Sequence, residues 1–170
     1  EWITTFGRSL RRFVSVLERV LARLEEEPAE RFLLDGIPLL AAALDGRAPD
    51  TAMVYGSPYH RLYTAGLELG HPGLRRPWDA AELRRRVRDA VERGQLEIVG
   101  TFTQPDTNLP AGEALVRQGL VARRWVRENL GVEPTVAWNL DSFGQSAQLP
   151  QILIQCGYDA LLAFRIAPTE

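Results

Sequence analysis

The feature that most constrains this chain is an alternation of two periods. Stretches with apolar residues three and four apart take turns with short strand-like runs. Phe6, Leu10, Phe13, Val14, Leu17, Val20, Leu21 and Leu24 set one apolar stripe along residues 7–26, which predicts an amphipathic helix. Pro28 follows. Then come RFLLDG (31–36), a short strand ending on Asp35, and an apolar helical stretch over 37–45. Asp79 stands where it can cap a helix whose Leu83, Val87 and Val91 share a face and which Gly94 ends. QLEIVGTFTQ (95–104) reads as a strand, PDTN as a turn, and 111–131 as an amphipathic helix stopped by Gly131. TVAWNLD (135–141) is a strand, Ser146 caps a helix through Gln155 that Gly157 ends, and ALLAFRI (160–166) is another strand. Helix and strand in alternation imply an α/β fold with a largely parallel sheet, because parallel neighbours need a crossover and a helix is the usual one.

The 170 residues suffice for a real core but fall below the usual size of a complete (β/α) barrel. A net charge of -2 gives no electrostatic reason to expect nucleic acid or an anionic membrane as partner. No apolar run has membrane-spanning length, and no signal peptide is evident. All 20 basic residues are arginine, which reads as GC-rich codon usage in a bacterium rather than as a device. Cys156 is the sole cysteine, so neither an internal disulfide nor a thiolate cluster can form; a reducing, cytoplasmic address is expected and a periplasmic one stays open. Both ends read as cut from something longer. From Asp45 to Pro77 the periodicity dissolves into Gly, Pro and Tyr, which reads as loop with short irregular elements.

Asp141 is the sharpest candidate for chemistry. Side chains at the C-terminal ends of parallel strands face the ligand crevice, because the loops there stay open while the strand bodies are packed. A turn aspartate bonding local amides is an equal alternative. Asp35 and Asp106 stand at similar strand ends, where the turn reading outweighs the functional one for each taken singly. Glu113 falls in the first turn of a helix, where a carboxylate suits the macrodipole. Arg165, near the end of an apolar strand, is either a buried cation needing an anion such as Asp141 or an exposed edge residue. His60 and His71 show no recognised ligand spacing and read as surface or structural residues. Trp78, Trp125 and Trp138 read as core or interface.

The run LDSFGQSAQLPQIL resembles the signature of glycoside hydrolase family 38, the zinc-dependent retaining α-mannosidases. Two further blocks agree with it: GQLEIVGTFTQPDTNLPAGEALVRQGL, and the opening EW, which is similar to the tail of that family's His-x-Asp-x-x-Trp motif. The resemblance covers residues 1–40 and 94–166 and leaves 45–80 as a divergent or inserted segment. It implies part of a (β/α) barrel of about seven strands, with 1–170 as a single partial domain. Asp141 would then be both nucleophile and zinc ligand, with Arg165 orienting it. Trp2 and Phe143 would wall the subsite holding the mannose ring. Asp106 lies in a block typical of the family and is carried as a substrate-binding candidate.

The implied activity is hydrolysis of terminal α-mannosides with retention. Zinc is the implied cofactor, its other ligands lying outside this chain, so the isolated chain is expected to be inactive. The implied partner is a carbohydrate, and an oligomer is left open for the full-length protein. Two other readings stay open: a related metal-dependent hydrolase such as a polysaccharide deacetylase, and a non-catalytic carbohydrate-binding domain of the same fold.

Overall fold

The computed structural model describes residues 6–46 and 77–164, which divide into two compact units. One comprises Glu1–Glu30 with Leu39–Ala90, the other Arg31–Pro38 with Val91–Glu170. The elements are α1 (Phe6–Glu26), β1 (Phe32–Leu34), α2 (Ile37–Asp45), α3 (Ala80–Glu92), β2 (Leu96–Ile98), α4 (Gly112–Leu130), β3 (Val136–Asn139), α5 (Leu149–Gln155) and β4 (Ala160–Ala163).

The described part of the first unit is helical. Leu10, Val14, Leu17, Leu21 and Leu24 of α1 are buried at alternating steps of four and three, which is the stripe the periodicity predicts. Leu40, Ala43 and Leu44 of α2 and Leu83, Val87 and Ala90 of α3 are buried with them. Asp79 caps α3 as expected, its carboxylate accepting from the amides of Ala81 (2.9 Å) and Glu82 (3.0 Å). Arg86 reaches Glu25 on α1 with two hydrogen bonds of 2.7 and 3.0 Å, and the Trp78 indole donates to the Ala43 carbonyl at 2.8 Å.

The second unit holds the four strands of the described residues. β1 pairs with β2 in parallel (Phe32 opposite Leu96), and β3 with β4 (Val136 opposite Ala160). A backbone bond from Gly100 N to Val136 O, 2.8 Å long, links the two ladders. Mixed α/β architecture with short parallel sheets is therefore observed. The strands are shorter than their apolar runs suggest. β2 stops at Ile98 because Gly100 takes a φ of 93°, turning the chain out of the ladder. β3 stops at Asn139 because a side chain takes the next two amides. α5 begins at Leu149, with Pro150 in its first turn where a missing N–H costs nothing. Ser146 precedes it, its hydroxyl accepting from Gln148 N at 3.3 Å.

Ala137, Leu149, Leu153, Cys156 and Tyr158 form the core between β3 and the helices. α4 comes close here because Gly119 has no side chain: a Cβ there would lie 3.0 Å from Cys156 Cβ. The buried Tyr158 hydroxyl shares its proton between the carbonyls of Gly100 (3.1 Å) and Gly119 (3.4 Å), and burial raises its pKa. At the N-terminal end of β3, Arg123 donates to Pro134 O at 3.0 Å and to Gly157 O and Glu133, with its guanidinium 5.6 Å from the Tyr158 ring centre.

Candidate active site at the strand ends

Each pair of strands is parallel, so within each pair the C-terminal ends fall together. Two glutamines tie those ends together. The Gln104 amide, beyond β2, donates to the Asp35 carboxylate beyond β1. Its oxygen accepts from the backbone amides of Leu140 (2.9 Å) and Asp141 (3.3 Å) beyond β3. Gln145 donates to Asn139 O at 3.2 Å and to Phe164 O, beyond β4, at 3.4 Å. Asp141 thus leaves a strand whose last amides are held by a side chain, and it is itself exposed.

The turn after Asp141 is held by polar groups that burial makes costly to leave unpaired. Asn139, 4% exposed, donates to Gln145 Oε1 at 3.0 Å and accepts from the Ser142 hydroxyl at 2.7 Å. Pro105 O also lies 2.7 Å from that hydroxyl. Thr107 accepts from the Ser146 amide at 2.7 Å. Residues 142, 145 and 146 are therefore anchored, and Phe143, in the same turn two residues after Asp141, is 75% exposed. An exposed aromatic side chain suits the C–H face of a sugar.

The other sequence candidates fall as follows. Asp35 joins Asp141 through Gln104. Asp106 accepts from the Asn108 amide at 3.2 Å, the local bond of a turn aspartate. Glu113 lies in the first turn of α4 and pairs with Arg117 at 2.9 Å on an exposed face. Trp2, Arg165, His60 and His71 lie outside the described residues. Gln104, Asn139, Ser142, Gln145 and Thr107 were not singled out by sequence reasoning. One signal was available: Asn139 sits among apolar residues of a strand, where a polar side chain needs buried partners.

Among the described residues no three of His, Cys, Asp and Glu gather into a group that could hold a metal ion. Asp141 supplies one carboxylate, short of the three or four protein ligands zinc takes, so these residues alone do not fit zinc. No helix of the described residues is long and apolar enough to cross a membrane.

Residues 74–167 match the family model described as the glycosyl hydrolases family 38 N-terminal domain. Alpha-mannosidase 2 of Homo sapiens is 34% identical over 92 residues, covering 52% of this chain and 8% of the relative. Alpha-mannosidase 2x of Mus musculus is 27% identical over 169 residues, 97% of this chain and 12% of the relative. The chain thus spans about a tenth of the length of these relatives. Among solved structures, an alpha-mannosidase from Enterococcus faecalis V583 superposes with a TM-score of 0.63 at 19% identity, over 94% of this chain and 14% of that one. That likeness is one of fold.

Proposed function

We propose, since this chain belongs to the glycosyl hydrolases family 38 and matches its N-terminal domain, that it forms part of a retaining α-mannosidase acting on terminal α-mannosides. One observation carries the reading. The stretch matched to the family contains Asp141, exposed just beyond the C-terminal end of a parallel strand, with the exposed Phe143 two residues on. The four strands are, on this reading, a sector of a (β/α) barrel of about seven strands.

In the proposed reaction a carboxylate oxygen of Asp141 attacks the anomeric carbon. The glycosidic C–O bond breaks, and the departing oxygen takes a proton from an acid carboxyl roughly 5 Å from the nucleophile. Water then attacks the same carbon, giving its proton back to that carboxyl and releasing both mannose and the Asp141 carboxylate. Phe143, with Trp2, would hold the apolar face of the ring; Arg165 would keep the nucleophile ionised and aimed. Asp106 remains a substrate-binding candidate. Zinc is the cofactor this reading implies, and Asp141 is the described residue that would be one of its ligands. On the same reading the 170 residues alone are inactive.

The test uses the protein that carries this chain and an aryl α-mannoside. Asp141→Asn should lower turnover at least about 1,000-fold, as loss of a covalent nucleophile does. A fluorinated mannoside should leave a stable adduct on the peptide containing Asp141. Wild-type turnover by the variant would refute the assignment.

A further inference from the structure

We propose that Gln104 is a positioning residue that sets where Asp141 leaves its strand, and that Asp35 acts through it. This rests on reading Asp141 as the nucleophile. The chemistry of the partners fixes the orientation of the Gln104 amide. The backbone N–H groups of Leu140 and Asp141 can only donate, so they take its oxygen; the Asp35 carboxylate can only accept, so it takes the NH₂. Asp35 has room beside Gly100 only because that residue has no side chain: a Cβ there would clash with Asp35 Oδ1. A line of hydrogen bonds therefore runs from Asp35 through Gln104 to the backbone of Asp141.

The two amides it holds follow the last β3–β4 rung, at Asn139 opposite Ala163, and Gln104 accepts both with one oxygen. A nucleophile must hold a near-attack position, and a displacement of about 1 Å can cost a hundredfold in rate. Gln104 does not need to touch the sugar to matter. Its contribution falls on kcat through the placement of Asp141, with KM little changed.

The experiment is a double-mutant cycle in the whole protein, read by kcat and KM on an aryl α-mannoside and by hydrogen exchange of the peptide covering Leu140 and Asp141. Gln104→Glu keeps an acceptor for the two amides but turns a second carboxylate toward Asp35. Asp35→Asn keeps an amide oxygen that can still accept from the Gln104 NH₂, so it should stay within about threefold of wild type in kcat and KM. Gln104→Glu should lower kcat about 10- to 100-fold with KM within about threefold. It should also speed exchange at the two amides about fivefold or more. The double variant restores a donor facing an acceptor with the polarity reversed, and should recover most of the kcat and the slow exchange.

Wild-type kcat and wild-type exchange in Gln104→Glu overturn the proposal. So does a double variant no better than Gln104→Glu alone, and so does a KM rise in Asp35→Asn that the double does not repair, which would mean that Asp35 binds sugar itself. If Asp141→Asn keeps full activity, the nucleophile reading fails and the catalytic half of this inference fails with it. The exchange data separate that outcome from failure of the Gln104 bridge.

Discussion

The two ends of β3 are held by opposite means. At the N-terminal end the ties are ionic: Arg123 and Arg127 both pair with Glu133, and Arg123 also covers the carbonyls of Pro134 and Gly157. At the C-terminal end they are neutral, built from the side chains of Gln104, Asn139, Ser142, Gln145 and Thr107. Ion pairs clamp the strand where it only has to be held. Amides and hydroxyls fix the backbone around Asp141 without adding charge of their own to β3, and the Asp35 carboxylate reaches it only through Gln104. The difference separates the end that holds the strand from the end proposed to work.

The contrast can be broken at either end. The largest stability loss should come from Asn139→Leu, which keeps the volume but leaves Gln145 Oε1 without its donor and removes one acceptor of the Ser142 hydroxyl. We expect a loss of about 2–3 kcal/mol in denaturant unfolding, together with lower turnover. Arg123→Ala at the other end should cost about 1–2 kcal/mol, from two carbonyls losing a donor and Tyr158 losing its cover, with kcat unchanged where the protein remains folded. A fall in kcat matching that of Asn139→Leu would erase the distinction between the ends.

The smallest effect is one of pH. Hydrogen bonding from Arg127, then the charge of Arg123, hold the Glu133 carboxyl below its ordinary value of 4.5. A carboxyl depressed by folding adds stability that is complete above 4.5 and lost as pH falls through the lower folded value. The stability gap between wild type and Glu133→Gln should therefore shrink on going from about pH 7 to about pH 3, measured as denaturant midpoints. A constant gap would mean the pair contributes nothing that titrates.

Helix positions were largely legible in the sequence, because a stripe such as Leu10, Val14, Leu17, Leu21 and Leu24 is a local pattern with one geometric reading. Glycines marked several ends for a physical reason: Gly94, Gly131 and Gly157 all take positive φ. Strand ends were harder. Apolar runs report burial, whereas a ladder ends where its amides find other partners, as Leu140 and Asp141 do in Gln104. The place of Asp141 just past a strand end could be read because a strand followed by a turn fixes it. Gln104 could not, since its partners Asp35 and Leu140 lie 69 and 36 residues away and amide side chains carry no periodic signal. Asn139 lay between these cases, visible as a misfit but not in what it binds.

The close approach of α4 to α5 at Gly119 has a further consequence for the chemistry of Cys156. The thiol is 7% exposed, its Sγ lies within 3.1 Å of where a side chain on Gly119 would begin, and burial raises its pKa. At neutral pH it is a protonated group behind a helix, so an alkylating reagent should reach it only when the two helices part. As the sole cysteine of the chain it works as a clock for that opening. Slow labelling that accelerates with denaturant would measure how often the pair separates, and labelling at the rate of a free thiol would show that glycine alone does not keep the seam shut.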